Sequence, residues 1–483
     1  MMRIFCFLLV VTVVGQTNNA NAAQPIQQPG QQAPQSAPQT NQPGESPQQT
    51  SQPVRATLHD QDPSPFDHLP AEIQQTLQAA RALEESNRFA EAVTLWDQAT
   101  EQLAQHFGQD QWQVTNAKLA SSLATQRASF QADQQQKIQE IGELQLTTIN
   151  FLKRGDMANA LPIIERAEAL TAELFGAETH LLAQIKTQKA GVLHNLGRLN
   201  EAWTEYRDAL TLARRTFGAF HPDTELIYYK LGTLLQNTAN SGRAIDHLTQ
   251  AVNVSKTVYG ELHPIYADRL TTLGVAMQST QQYERALQYL LAGEKVQTEV
   301  LGPGHQRRAQ TLRDIGVTYL SMHEPTEAVK FLRSSIDILV QTMSNIHPFV
   351  LNTKTQLATA LAMDKESEQA EQVLRQVLEG SLETFGADHP STAKTQFQLA
   401  VTLGNQKNFP EACQLLNQSL NTHAAQLGYD HPMTHRTGVA YARMLEKNGD
   451  PDAAAKVQQL FANQANQPAT QQQAQNPTGV NRK

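Results

Sequence analysis

The chain has 483 residues, with 38 Lys or Arg and 46 Asp or Glu, and a net charge of −8. It shows no basic stripe, which argues against nucleic acid or an anionic membrane as the main partner. Of its two cysteines, Cys6 falls in a segment that we expect to be removed. We therefore expect no internal disulfide bond, and we expect Cys413 to act as a small apolar packing residue.

Residues 1–22 have the pattern of a secretory signal peptide. A short basic start precedes an apolar run from Ile4 to Val14, and an Ala20-Asn21-Ala22 motif follows. The run is shorter than the ~20 residues that span a bilayer. We predict cleavage after Ala22 and export to the periplasm or the exterior, with an uncleaved anchor as the alternative.

Two tails of low apolar content flank the helical part of the chain. Residues 23–66 are rich in Gln and Pro, and residues 464–483 are rich in Gln, Asn and Ala. Such segments bury too little surface to offset their conformational entropy. We predict that both are disordered.

The helical pattern begins with one isolated repeat in residues 67–110, which holds Ala80, Ala92 and Trp96. The next alanine of this type is Ala160, 68 residues after Ala92 rather than one period of 42. About one helix of extra chain therefore interrupts the repeat. We predict an irregular helical insertion over residues 111–153.

A regular array with a period of 42 residues occupies residues 154–463. A fixed period of this length predicts a stacked-repeat solenoid, whose function resides on a continuous surface. The periodic alanines are Ala160, Ala202, Ala244, Ala286, Ala328, Ala370, Ala412 and Ala454.

Two more positions repeat around each alanine. Small residues stand twelve positions before it, where two helix axes can approach closely; they are Ala190, Gly232, Gly274, Gly316, Ala358, Ala400 and Ala442. Large residues stand four positions after it, on the same helix face; they are Ile164, Tyr206, Leu248, Leu290, Leu332, Leu374 and Leu416. Turn signals lie between the two small positions, so each unit is predicted to be helix, tight turn, helix.

The joins between units share a second motif. In Tyr259-Gly260-Glu-Leu-His263-Pro264, glycine ends one helix and proline starts the next. The histidine before the proline is placed at the helix boundary. Histidine recurs at this position as His221, His263, His305, His347, His389 and His431, although Gln306 stands in place of the proline after His305.

These residues resemble tetratricopeptide repeats, specifically the 42-residue type of kinesin light chains and many bacterial proteins. The resemblance covers roughly Leu69 to Phe461 in nine units. It implies a right-handed α-solenoid of antiparallel helix pairs, in which the first helix of each unit lines a concave groove that binds peptides. The motor-adaptor role does not carry over, because the chain has an export signal and no heptad coiled coil.

No residue is singled out for catalysis, a cofactor or a metal. Successive cap histidines are expected ~10 Å apart, too far to share a metal ion, so a helix-boundary role is favoured. His431 and His435 are spaced i,i+4, but no third ligand is in sight. Motifs for hydrolases, nucleotides or zinc proteases are missing from the sequence. We therefore expect a protein that is not an enzyme.

The residues that differ between units are the candidates for binding. First-helix positions predicted to face the groove carry amides and hydroxyls that can bond a peptide backbone, and cations that can bind carboxylates. Ordinary solvated helix positions are the alternative interpretation. The candidates are Tyr229, Lys230, Thr233, Asp268, Thr271, Gln278, Gln310, Arg313, Asp314, Asn352, Thr355, Gln356, Lys394, Phe397, Gln398, Arg436 and Arg443.

The sequence thus predicts an exported scaffold that binds a protein or peptide partner of unknown identity in its groove. The alternative is a structural spacer or self-assembling solenoid, whose repeat ends or tails make the contacts. A hydrolase or metal-binding protein is the distant alternative.

Overall fold

A computed structural model describes residues 69–465, apart from positions 237 and 239. Their regular secondary structure is entirely α-helical. The predicted signal peptide, the predicted linker and residues 466–483 of the predicted tail lie outside the described residues. None of the described helices is long and apolar enough to cross a membrane.

The chain forms two compact units, divided between Val192 and Leu193. In unit 1, α1 packs on α2, α2 on α3, and α4 on α5. Its helices are α1 (Ala71–Glu85), α2 (Phe89–Phe107), α3 (Trp112–Ala128), α4 (Ala132–Lys153), α5 (Met157–Phe175) and most of α6 (His180–Asn195).

Unit 1 contains the interruption of the repeat. Ala92 lies on α2 and Ala160 lies on α5, both fully buried. Two helices, α3 and α4, separate them, where one helix would complete a regular unit. The additional 26 residues of sequence are therefore present as one extra helix.

Unit 2 is a row of helix pairs. We call the first helix of each pair an A helix and the second a B helix. The A helices are α8 (Pro222–Gln236), α10 (Pro264–Ser279), α12 (Gln306–Ser321), α14 (Pro348–Met363), α16 (Pro390–Asn405) and α18 (Pro432–Lys447). The B helices are α7 (Leu199–Thr216), α9 (Ser241–Tyr259), α11 (Tyr283–Leu301), α13 (Pro325–Thr342), α15 (Ser367–Phe385), α17 (Phe409–Leu427) and α19 (Pro451–Ala465).

Three A helices, α8, α10 and α12, meet their B helices at the small residue predicted from the period. A Cβ atom on Gly274 would lie 2.7 Å from Leu290 Cγ and 3.0 Å from the carbonyl oxygen of Ala286. Gly232 and Gly316 have the same neighbours one repeat away, with Leu248 and Leu332. Glycine is therefore required here because helix axes this close leave no volume for a side chain.

The joins between pairs form as the sequence predicts. Gly260 follows α9 with a φ of 89°, a positive value that only glycine adopts at low cost. The imidazole of His263 stacks on Tyr259, with ring centroids 4.8 Å apart. Its Nδ1 accepts a hydrogen bond from the Ile265 amide at 3.1 Å. Histidine thus caps the next A helix.

All six boundary histidines make this cap. Nδ1 accepts from the backbone N–H two residues later at 3.0–3.2 Å in His221, His263, His305, His347, His389 and His431. An accepting Nδ1 requires a neutral ring that carries its proton on Nε2. The predicted boundary role is confirmed, and the architecture is an all-α solenoid of antiparallel helix pairs.

Candidate peptide-binding face

A row of polar side chains crosses the A helices of unit 2. Its members stand five residues after the cap histidine, so each occupies the same place on its helix. We call these residues the polar row; they are Asp268, Gln310, Asn352, Lys394 and Arg436. Asp268 is half-buried, whereas the other four members are exposed.

At the start of unit 2, a buried ion pair joins α8 to α10. Arg269 Nε donates to Glu225 Oε1 at 2.6 Å, and both side chains are almost completely buried. The guanidinium carbon of Arg269 lies 3.8 Å from the centroid of the Tyr229 ring. Tyr229, a predicted groove residue, is therefore held by its neighbouring helix.

Lys230 lies beside this pair and is half-buried. The pKa of its ammonium is lowered to about 8, first by burial and second by the Arg269 charge, while the Glu225 carboxylate opposes the shift. The second predicted groove residue of α8 is therefore not a freely solvated cation.

Between α10 and α14, charged candidates pair with each other or with neighbours. Asp268 Oδ2 lies 3.1 Å from Arg307 Nη1. Arg313 donates to Asp314 Oδ1 at 2.6 Å, and its guanidinium carbon lies 4.5 Å from the centroid of the Phe349 ring. Burial raises the pKa of Asp314, and the neighbouring Arg313 opposes the shift. The charges on this half of the face, from α10 to α14, are therefore largely neutralised by partners within the protein.

Three predicted groove residues are buried. Thr233, Thr355 and Phe397 are only 7–8% exposed. Thr233 Oγ1 donates to the Lys230 carbonyl at 3.0 Å, and Thr355 Oγ1 donates to the Leu351 carbonyl at 2.8 Å. Burial and local bonding leave these side chains little to offer a ligand. Thr355 and Phe397 each stand three residues after a member of the polar row, Asn352 and Lys394.

The remaining hydroxyl and amide candidates are half-buried. Thr271 Oγ1 donates to the Asp268 carbonyl at 3.1 Å. Gln278, Gln356 and Gln398 are partly accessible. Gln398 Oε1 has no hydrogen-bond partner among the described residues.

The other half of the face, on α16 and α18, carries cations that are not neutralised in this way. Lys394, Arg436 and Arg443 are exposed, and none forms an ion pair with a described carboxylate. The guanidinium carbon of Arg436 lies 5.2 Å from the centroid of the Phe397 ring. Phe397 therefore supports Arg436. We call Lys394, Arg436 and Arg443 the basic patch.

Charge is divided between the two kinds of helix. From α8 to α18, the A helices carry the cations Lys230, Arg269, Arg307, Arg308, Arg313, Lys354, Lys394, Arg436, Arg443 and Lys447. Their carboxylates are fewer: Asp223, Glu225, Asp268, Asp314 and Glu446. On the B helices of the same span carboxylates outnumber cations. The A-helix side is thus the basic side of a chain that is acidic overall.

Sequence reasoning missed the residues that couple neighbouring A helices: Glu225, Arg269, Arg307 and Phe349. One signal was available in the sequence. Arg269 stands 42 residues after Ile227, at the equivalent position of the next repeat, and Ile227 lies in the core. A charged residue at a core position indicates a buried partner. The partner, Glu225, lies 44 residues away in the sequence and could not be identified from spacing.

The cap histidines are engaged with backbone amides and make no metal cluster. No group of three or more His, Cys, Asp or Glu side chains within the described part of the chain is placed to hold a metal ion. Cys413 is buried, and burial raises the pKa of its thiol.

Tetratricopeptide repeat profiles match much of the chain. One profile matches residues 181–257, 224–296 and 270–339, and a second matches 350–391 and 392–432. No curated protein matches the chain.

Two similar solved structures, each with a TM-score of 0.50, show the same fold. The apo form of RapI is 14% identical with a TM-score of 0.50, over 82% of this chain and 98% of that one. A signal transduction ATPase with a tetratricopeptide repeat sensor, from Pyrococcus horikoshii, is 12% identical with a TM-score of 0.50, over 77% and 52%. A putative kinesin light chain from Podospora anserina is 24% identical with a TM-score of 0.39, over 41% and 93%.

Proposed function

Because the chain belongs to the tetratricopeptide repeat proteins, we propose that it is an exported scaffold that binds an acidic peptide segment of a protein partner. The contact surface is the part of the polar row on α12 to α18, together with the basic patch on α16 and α18. The observation that carries the proposal is a set of exposed cations that have no carboxylate partner among the described residues, Lys394, Arg436 and Arg443, of which Arg436 lies over Phe397.

The polar row supplies two kinds of contact in sequence. Gln310 and Asn352 offer amides, which can both donate to and accept from a peptide backbone. Lys394 and Arg436 follow on the next two A helices and favour carboxylates. An extended peptide laid across these helices would meet amides first and cations second.

Charge also supports the choice of ligand. The carboxylates of α10 and α12 are paired within the protein, so they do not repel an acidic segment strongly. Exposed cations steer an acidic partner and make binding depend on salt. Hydrophobic anchors are few on this surface, so the affinity for a single peptide is modest.

The test uses fluorescence anisotropy of two labelled peptides of equal length, one with six Glu residues in a Gly/Ser background and one with six Gln residues. The proposal expects the Glu peptide to bind at least tenfold more tightly at low salt, and the difference to shrink as salt increases. Equal binding of both peptides, or no binding of either, would contradict it.

One observation favours a second candidate, self-association. Phe220 and Leu262 are 60% and 67% exposed and occupy the same position in adjacent joins, 42 residues apart. Sedimentation of the full chain and of a Phe220→Ser/Leu262→Ser variant separates the two. A concentration-dependent dimer that the variant loses would support self-association.

A further inference from the structure

A cleft opens in unit 1 where the repeat loses its register. Its volume is about 710 Å³, in the range of ligand sites. One wall is the turn between α1 and α2, with Asn87, Arg88 and Phe89, and the opposite wall is the start of α4. A regular repeat would place one helix between α2 and α5, whereas two helices, α3 and α4, stand there.

The α4 wall presents amides. Gln139 lies one helical turn from both Gln135 and Gln136, and all three line the cleft. Gln136 and Gln139 are exposed. Gln135 Nε2 donates to the Arg127 carbonyl at 2.7 Å, which fixes the start of α4 against the end of α3. The wall therefore offers donors and acceptors without net charge.

The charged groups at the cleft are compensated locally. Arg88 Nε donates to Glu91 Oε1 at 2.6 Å on the rim. The buried Arg127 lies over Phe89, 4.1 Å from the ring centroid, and 3.6 Å from Glu84 Oε2. A ligand for this cleft is consequently an uncharged polar chain rather than an acidic or basic one.

We propose that the cleft binds residues 24–53 of the same chain. This segment is built largely from Gln, Pro, Ser, Asn and Thr, and Glu45 is its one charged residue. Proline has no N–H, so a segment with regularly spaced prolines presents backbone carbonyls as acceptors. The Nε2 groups of Gln136 and Gln139 are matching donors.

The length of chain between segment and cleft allows this contact. The cleft lies at the far end of α1, which has 15 residues and is ~22 Å long. Residues 54–68 connect the segment to α1, and a polyproline-like chain of that length reaches ~46 Å. Because the segment is tethered, its effective concentration is in the millimolar range, so weak contacts suffice.

The test places a photo-cross-linking residue at Gln136 in the full chain, with Asn150 as the matched control. Both positions are exposed on α4, but Asn150 is ~21 Å farther along the helix. We expect Gln136 to cross-link to residues 24–53, as identified by mass spectrometry, with at least a fivefold higher yield than Asn150. Equal yields, or cross-links only to other regions, would overturn the proposal.

Two further measurements test whether the contact is within one chain and whether it uses the cleft. In a mixture of isotopically light and heavy chains, the cross-links should join peptides of one isotope only, and mixed pairs would overturn the assignment to the same chain. Gln139→Glu places a carboxylate beside the carbonyl acceptors and should lower the yield at Gln136 at least threefold. Unchanged yield in this variant, with unchanged thermal unfolding, would also count against the cleft.

Discussion

Gly274 and Leu290 lie in direct contact, so that a Cβ atom on the glycine would stand 2.7 Å from Leu290 Cγ. The contact sets the distance between α10 and α11. It recurs with the 42-residue period at Gly232 and Gly316, and it explains why small residues are kept twelve positions before each alanine.

Gly274→Leu should therefore overpack the α10–α11 pair and destabilise unit 2 by about 1–3 kcal/mol or more. Gly242→Leu, at a glycine with no atom within 4 Å of its would-be Cβ, is the matched control. Chemical denaturation followed by circular dichroism measures both. Equal stability of the two variants would show that the assigned helix contact is wrong.

His389→Ala should remove one helix cap and one ring stack. The His389 Nδ1 accepts from the Ser391 amide at 3.0 Å, and its ring lies on Phe385 with centroids 4.8 Å apart. Loss of a capping side chain costs about 0.5–2 kcal/mol. His389→Asn retains an acceptor and should recover part of the loss in thermal unfolding, whereas equal losses in the two variants would argue against the cap.

Arg269→Met should be among the most destabilising single changes in unit 2, because it leaves Glu225 buried without its partner. Removing one member of a buried pair costs about 3–5 kcal/mol. The double variant Glu225→Gln/Arg269→Met should recover much of that loss. A double-mutant cycle on denaturation free energies measures the coupling, and additive losses would contradict the pair.

Acid should destabilise unit 1 through His180. Burial lowers the pKa of its imidazole from 6.5 to about 4, so the folded state binds fewer protons than the unfolded state. The stabilisation is present above pH 6.5 and is lost as the pH falls through 4, by up to about 3 kcal/mol. His180→Gln should flatten the pH dependence of the unfolding midpoint between these values, and an unchanged slope would rule out this contribution.

Most of the fold could be predicted from the 42-residue period. Because each helix pair packs on its neighbours through the same few positions, the alanines, the small residues and the cap histidines could be placed from sequence alone. The register between Gly108 and Phe151 could not, since it depends on how α3 and α4 pack rather than on a repeated pattern. The cleft in unit 1 was missed for the same reason.

The candidate site was only partly accessible to sequence reasoning. The polar row follows from spacing, and Lys394 and Arg436 are exposed as a groove residue requires. Thr233, Thr355 and Phe397 stand on the border between the exposed and packed sides of their helices. Their burial depends on how far each A helix is rotated, which the sequence pattern does not resolve. The Tyr229 ring packs against Arg269 of the next A helix, α10, a contact that only the tertiary structure reveals.

The central claim is that an acidic peptide binds the basic patch on α16 and α18. The decisive measurement compares Glu-peptide affinity for Lys394→Glu/Arg436→Glu with that for Arg243→Glu/Lys295→Glu, which makes the same charge change at exposed positions on B helices. The account predicts a loss of at least tenfold in the first variant and little change in the second, with both folded by circular dichroism. Equal affinity in the two variants would contradict it.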